Sequence, residues 1–198
     1  MENDAASAAA APARERILAT ASRLFHRDGY RAVGVDTIIE QSGVAKMTLY
    51  RHFPSKDELI VAHLERANDG FWEWFDSAVA GSAPARDRLV AVFDAIQRLA
   101  THTSCLGCTF QEVAAEFPDP GHPAHEVARE HKRAVLARLC QLAEEAAAPD
   151  PKLLAEQLIL IMDGAFAAAR MFGAQSPAGS SAGAARVLVD SALPAGPG

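Results

Sequence analysis

Between Gln41 and Lys56 the chain carries no Asp or Glu, yet residues 46–52 include Lys46, Met47, Thr48, Tyr50, Arg51 and His52. Ammonium, guanidinium, hydroxyl, phenol and imidazole groups on one short segment are the donors that phosphate oxygens and base edges accept from. Val44, Leu49 and Phe53, spaced five and four apart, supply an apolar side that can pack inward and turn the others outward. A face merely bathed in solvent is ordinarily filled with Glu, Lys and Gln, so a solvated helix with a buried Tyr is the plainer but poorer alternative. Just beyond, Ser55 and Glu58 have the spacing of a capping box, with Ser55 at the N-cap. Lys56 then falls in a first helical turn, where a cation opposes the helix dipole by about 0.3 to 1 kcal/mol. A DNA phosphate at the helix N-terminus would offset that cost; a solvated Lys balanced by Asp57 and Glu58 explains it equally well.

Cys105-Leu106-Gly107-Cys108 is the other grouping with chemical potential. A thioredoxin-like motif would sit in a βαβ unit, of which the sequence has no trace, and a zinc site would need two further ligands. His102, His122 and His125 are present, but their separation along the chain says nothing of geometry. Three readings stay open: small residues leading into a helix that runs toward Glu116, which is the simplest, a thiol sensor, or a metal site. No metal or other cofactor is expected. With Cys140 the cysteines number three, which implies no disulfide framework and fits a reducing compartment. No nucleophile and base stand out as a pair, and no Glu-x-x-His occurs, so a di-metal carboxylate bundle is disfavoured and an enzyme is not expected.

These groups need rigid elements to present them. Of 198 residues, 49% are hydrophobic and 22% charged, which suits a chain with a sizeable buried core rather than a disordered one. Alanine occupies 42 positions, and apolar residues recur every three or four positions with no alternating β-branched run, so the expected class is all-α. Gly, Pro and Ser clusters divide the chain into about nine helical segments. Residues 14–27 put Ile17, Ala21, Leu24 and Phe25 on one face and stop at Asp28-Gly29. Asp36 is a suitable N-cap for a short helix over 37–41. Ser42-Gly43 then turns into the segment that carries Lys46, and two short helices joined by a Gly-containing turn form the helix-turn-helix pattern.

Charge distribution sharpens this picture. The formal net charge of -6 argues weakly against nucleic acid for the chain taken whole. Residues 12–56, however, hold eight Lys+Arg against four Asp+Glu, a net of +4, while residues 57–198 hold 11 against 19. The basic charge is concentrated in a small N-terminal module. The first 13 residues lack the charge and apolar core of a signal peptide, and the apolar stretch 153–172 is interrupted by Glu156, Gln157, Asp163 and Arg170. A cytoplasmic protein with no membrane partner is expected.

Arg16-Ile17-Leu18, Leu24-Phe25, Asp28-Gly29-Tyr30, Val35, Ile38-Ile39, Gly43-Val44 and the run TLYRHFPSK at 48–56 together resemble the N-terminal domain of TetR-family transcriptional regulators. The resemblance covers residues 14–59 without a gap. It implies a homodimer, most often a repressor, that binds pseudo-palindromic operator double-stranded DNA and is released by a small organic inducer. It puts Lys46, Met47, Thr48, Tyr50 and His52 of the recognition helix, which also carries Arg51, at base edges and backbone, and Thr37 and Lys56 at phosphates. Two positions depart from the family pattern: Ala45 replaces a small polar cap, and Met47 stands where Gly is common. The implied organisation is a disordered tail at 1–13, a helix-turn-helix DNA-binding domain at 14–56, and a helical ligand-binding and dimerisation domain at 57–198.

Within that second domain, helices expected over 57–79 and 85–100 carry Phe71, Trp72, Trp74, Phe75 and Phe93. Most of these are simply core, but together with Cys105, His131, Met162 and Phe166 they are also a candidate lining for an apolar ligand pocket. His131 serves a core or interface equally well. Further helices are expected over 123–147, 152–172 and 182–193. The helix over 152–172 is apolar on more than one stripe and needs cover on two sides. Leu158, Met162, Phe166, Ala169 and Val187 are accordingly expected at a dimer interface, in an intersubunit four-helix bundle like the family's. The competing functions are an all-α small-molecule-binding protein, a regulator that senses thiol oxidation through Cys105 and Cys108, and a protein-interaction bundle.

Overall fold

The structure, a computed structural model, describes residues 11–81 and 84–194. Of the tail expected over residues 1–13, residues 1–10 lie outside the described residues. The described residues form nine α-helices and no strand: α1 Ala13–Asp28, α2 Val35–Ser42, α3 Lys46–His52, α4 Lys56–Val79, α5 Ala85–Ala100, α6 Thr109–Glu116, α7 Pro123–Glu145, α8 Pro151–Phe172 and α9 Ser181–Ala192. Two short 3-10 turns, Gly173–Gln175 and Pro177–Ser180, join α8 to α9.

Local chemistry sets several of these boundaries. Gly29 ends α1 at φ 85° and Gly43 ends α2 at φ 65°, left-handed conformations that favour glycine. Ser55 caps α4 as its spacing predicts, its Oγ accepting from the Glu58 amide at 3.1 Å. Asp150 caps α8 through the Leu153 amide at 3.0 Å, with Pro151 in the first turn. Asp36 does not cap α2. That helix starts two residues earlier than expected, at Val35, with extended Gly34 as the cap, so Asp36 lies in the first turn, where its charge favours the dipole.

The chain divides into two compact units, and the division falls within α4 and α7. One unit runs to Asn68 and takes in Thr109–Arg129; the other comprises Asp69–Cys108 and the chain from Glu130 onward.

In the first unit Ile17, Leu24 and Phe25 of α1 are buried, as are Ile38, Leu49, Leu59 and Leu64, all at most 1% exposed. The sequence pattern foretells that apolar core but not the polar one inside it. Tyr30, fully buried, stacks on Phe25 with ring centroids 5.0 Å apart. Its hydroxyl meets Thr109 Oγ1 at 2.5 Å and His63 Nε2 at 3.2 Å, while His63 Nδ1 lies 2.8 Å from Ser22 Oγ. Each buried polar atom in this chain of groups has a partner, which is the condition for burying it at tolerable cost. Burial, reinforced by His26 and Arg66, pushes the His63 imidazole down to about 3, so it is neutral at physiological pH.

In the second unit Phe75, Phe93 and Ile96 meet Val135 and Leu139 of α7, Leu154 and Leu158 of α8, and Ala185 and Val189 of α9. α9 packs on α5 and α8, and its entry is tied by Gln97 Oε1, which accepts from the Ala182 amide at 3.2 Å. No helix among the described residues is long and apolar enough to cross a membrane.

His63 makes the fold pH-dependent with a definite sign. Its folded pKa near 3 lies below the ordinary 6.5, so the stabilisation is complete above about pH 6.5 and is lost as the unfolded chain takes up a proton below it. Between pH 7 and pH 5 this one group removes about 2 kcal/mol. Urea unfolding at the two pH values tests this: the loss of stability on acidification is smaller by that amount in His63→Gln than in the wild type.

Candidate nucleic-acid interface

α3 is seven residues long and has no side-chain cap, since Ala45 occupies the cap position. What holds it is the apolar side read from the sequence: Val44, Leu49 and Phe53 are 8%, 1% and 3% exposed. Arg16 of α1 adds a bond from Nη2 to the Gly43 carbonyl at 3.2 Å, and Arg14 lies over the Phe53 ring at 5.2 Å. With that side buried, Lys46, Met47, Tyr50 and Arg51 share the exposed face, and Thr48 and His52 are half-buried on its flank. Thr37 is exposed near the start of α2.

One acid reaches this surface. Asp36 Oδ1 lies 3.5 Å from Lys46 Nζ, with both side chains well exposed. A pair so open to water contributes little and leaves the ammonium available. Because the sequence reading makes Asp36 a helix cap, it misses this pairing across the turn.

Lys56 is placed differently from the others. Its Nζ donates to the Arg31 carbonyl at 3.3 Å, and partial burial lowers its pKa against the opposing pull of Glu116 and Asp57. The same corner is held from a second side by Glu116, whose Oε1 accepts from the Tyr30 amide at 2.9 Å and whose Oε2 accepts from the Arg31 amide at 2.7 Å. Phe117 follows, carrying the Arg31 guanidinium on its ring at 5.7 Å and stacking on His122 at 4.2 Å. Glu116 thus fixes the link between α1 and the helix-turn-helix. No local pattern marks it, because its partners lie 85 and 86 residues away.

A family model described as bacterial regulatory proteins, tetR family, matches residues 17–62, and one described as tetracyclin repressor-like, C-terminal domain, matches residues 85–184. The chain belongs to the TetR family. It is a DNA-binding transcriptional regulator and not an enzyme. The crystal structure of a TetR-family regulator from Streptomyces coelicolor superposes with a TM-score of 0.86 at 31% identity, covering 91% of this chain and 95% of that one. The HTH-type transcriptional activator FasR of Mycolicibacterium smegmatis is 37% identical over 91 residues, which are 46% of this chain and 42% of FasR. The HTH-type transcriptional repressor NemR of Escherichia coli is 27% identical over 133 residues, 66% of this chain and 67% of NemR.

Elsewhere in this TetR-family regulator, the candidate pocket residues are brought together in the second unit. Phe71, Trp72 and Trp74 lie half-buried against a core that includes Phe75, Phe93, Met162 and Phe166, with Cys105 half-buried beside it. His131 meets the Phe71 ring edge-on at 4.7 Å, and burial together with Lys132 pushes its imidazole down to about 3. Cys105, Cys108 and Cys140 are free thiols. Among the described residues no three His, Cys, Asp or Glu are grouped to hold a metal ion.

Four of the five residues expected at a dimer interface lie in the chain's interior. Leu158, Met162, Phe166 and Ala169 are 0%, 1%, 7% and 2% exposed and belong to the regulator's own core. α8 leaves Leu153, Leu160, Gly164, Ala167 and Met171 in solvent, together with the polar Glu156, Gln157 and Arg170. Val187 of α9 is 71% exposed. Periodicity shows that α8 has apolar residues on most sides but not which side the chain covers by itself.

Removing the Glu116 clamp takes the carboxylate from the part-buried Tyr30 amide and from the exposed Arg31 amide. Glu116→Ala is expected to lower stability in urea unfolding by about 1 to 3 kcal/mol. Glu116→Gln keeps one acceptor and is expected to cost less; equal losses would show that the carboxylate's second bond contributes nothing.

Proposed function

We propose that the chain is a ligand-responsive repressor acting in the cytoplasm, which binds a pseudo-palindromic operator as a homodimer and is released by a small organic inducer. The observation that carries the DNA half of this reading is the exposed face of α3, where Lys46, Tyr50 and Arg51 stand around Met47 with no acid on the helix. In a helix-turn-helix that helix enters the major groove, with its first residues at base edges. Thr48 and His52 flank the same face, and Thr37 and Lys56 are offered to the phosphates. Lys56 reaches a phosphate while its first partner is a carbonyl, since an ammonium has three donors. Repression is preferred to activation because NemR, a named repressor, aligns over 66% of this chain, and FasR, a named activator, over 46%.

The dimer half is supported by an uncovered seam. Leu153, Leu160, Gly164, Ala167 and Met171 recur at steps of seven, four, three and four along α8, and Leu160 and Met171 are 70% and 77% exposed. Val187 continues the apolar surface on α9, and the small residues Gly164, Ala168 and Ala184 line a shallow groove of about 210 Å³ beside it. Close approach of two such helix pairs would bury this surface in an isologous contact. For the inducer, the half-buried rings of Phe71, Trp72 and Trp74, with the neutral imidazole of His131, suit an apolar molecule with one hydrogen-bonding group. An inducer that favours the dimer state whose recognition helices miss the half-site spacing lowers DNA affinity by its differential affinity for the two states.

Selection from a random duplex pool, followed by titration at several salt concentrations, tests the DNA reading. A palindromic consensus and a steep salt dependence are expected, and purely nonspecific binding would overturn it. Lys56→Ala is expected to weaken all sequences alike and to reduce the salt slope by about one unit. An unchanged slope removes Lys56 from the phosphate contacts. In sedimentation, Leu160→Glu and Val187→Glu are each expected to shift the wild-type dimer toward monomer and to weaken operator binding in parallel; variants that stay dimeric would place the seam elsewhere.

A further inference from the structure

We infer that Met47 reads the C5-methyl group of a thymine in each operator half-site, an inference that rests on the DNA-binding reading above and adds the identity of one base to it. Met47 is 81% exposed, more than Leu160, Met171 or Val187 on the dimer seam. It is the second residue of α3, and the first residues of a recognition helix are the ones brought against base edges. Lys46 precedes it, and Tyr50 and Arg51 follow at three and four residues, so it shares their face.

Chemistry narrows what such a side chain can recognise. A thioether has no proton to donate and is a weak acceptor, so Met47 cannot distinguish bases by hydrogen bonds. The apolar feature that a base pair displays in the major groove is the thymine methyl. Met is flexible and polarizable, and fits an apolar group without a preformed pocket. An apolar protein partner is the other conceivable occupant. The charges around Met47 favour DNA, since Lys46 and Arg51 flank it and the helix has no acid. The large apolar neighbour exposed on the same helix is Tyr50, at 40%, which is too little for a protein-docking patch.

The test uses the full-length protein and the operator recovered by selection. Each thymine of the half-sites is replaced in turn by deoxyuridine, which deletes the methyl and leaves every hydrogen-bonding group in place. At one position the wild-type Kd is expected to rise about fourfold for each half-site substituted, the equivalent of one buried methyl. Met47→Ala is expected to show that rise already on the thymine operator, with no further change on deoxyuridine and with an unaltered salt slope. Met47→Leu, which keeps the apolar volume, is expected to retain the discrimination.

Three results would overturn the contact: deoxyuridine penalties equal in wild type and Met47→Ala at every position, a consensus half-site without thymine, or a Met47→Ala variant that changes assembly state rather than base preference. Failure to recover any specific operator overturns the DNA-binding reading itself. Recovery of one without a Met47-dependent penalty overturns the methyl contact alone.

Discussion

A helix of seven residues does not hold its shape in water, because the first turn must be ordered before the hydrogen bonds offset its cost. α3 is that helix, and it also lacks a side-chain cap. Its geometry is therefore borrowed from what surrounds it. Leu49 and Phe53 anchor one side in the core, Gly43 supplies the left-handed turn at its entry, and Arg16 ties that turn back to α1. Every exposed cation on α3 is positioned by contacts made on the opposite side of the helix.

The support itself has two layers of different character. Apolar burial around Phe25, Leu49 and Leu64 is tolerant, since residues of similar volume satisfy it. The polar layer is not. Tyr30, His63, Thr109 and Ser22 satisfy one another over short distances, and Glu116 takes the two amides that follow Gly29. Loss of one member strands the others in a low-dielectric interior. Tyr30, His63, Thr109 and Ser22 thus fix the module without belonging to the surface offered to DNA, while the Glu116 corner also holds Lys56.

Legibility in the sequence follows the range of the forces. The helices, the Ser55 cap, the turn at Gly43 and the inward set Val44, Leu49 and Phe53 depend on neighbours a few residues apart, and periodicity and capping rules capture them. The exposed set on α3 is legible as its complement. Asp36 is misread because Gly34, with no side chain to accept a bond, is a cap the pattern does not flag. Glu116, Thr109 and His63 are invisible because their partners are long-range and a single acid, hydroxyl or imidazole has no period. The side of α8 that faces out is ambiguous for a related reason: Leu158 and Leu160 are equally apolar, and only the placement of the other helices buries the first and leaves the second bare.

Gly29 gives this long-range grip a practical meaning. Its φ is 85°, and a Cβ placed there would come within 2.9 Å of Glu116 Oε1. The corner of the reading module and the end of α6 are thus shaped to each other across 87 positions of chain. A chimera made by grafting residues 14–56 onto another relative's body would carry Gly29 and Tyr30 away from the carboxylate, the threonine and the imidazole that complete them. The transplantable piece is discontinuous: it needs residues 57–68 and 109–129 as well as the head, so a specificity swap confined to the helix-turn-helix is better made by exchanging the outward residues of α3 alone.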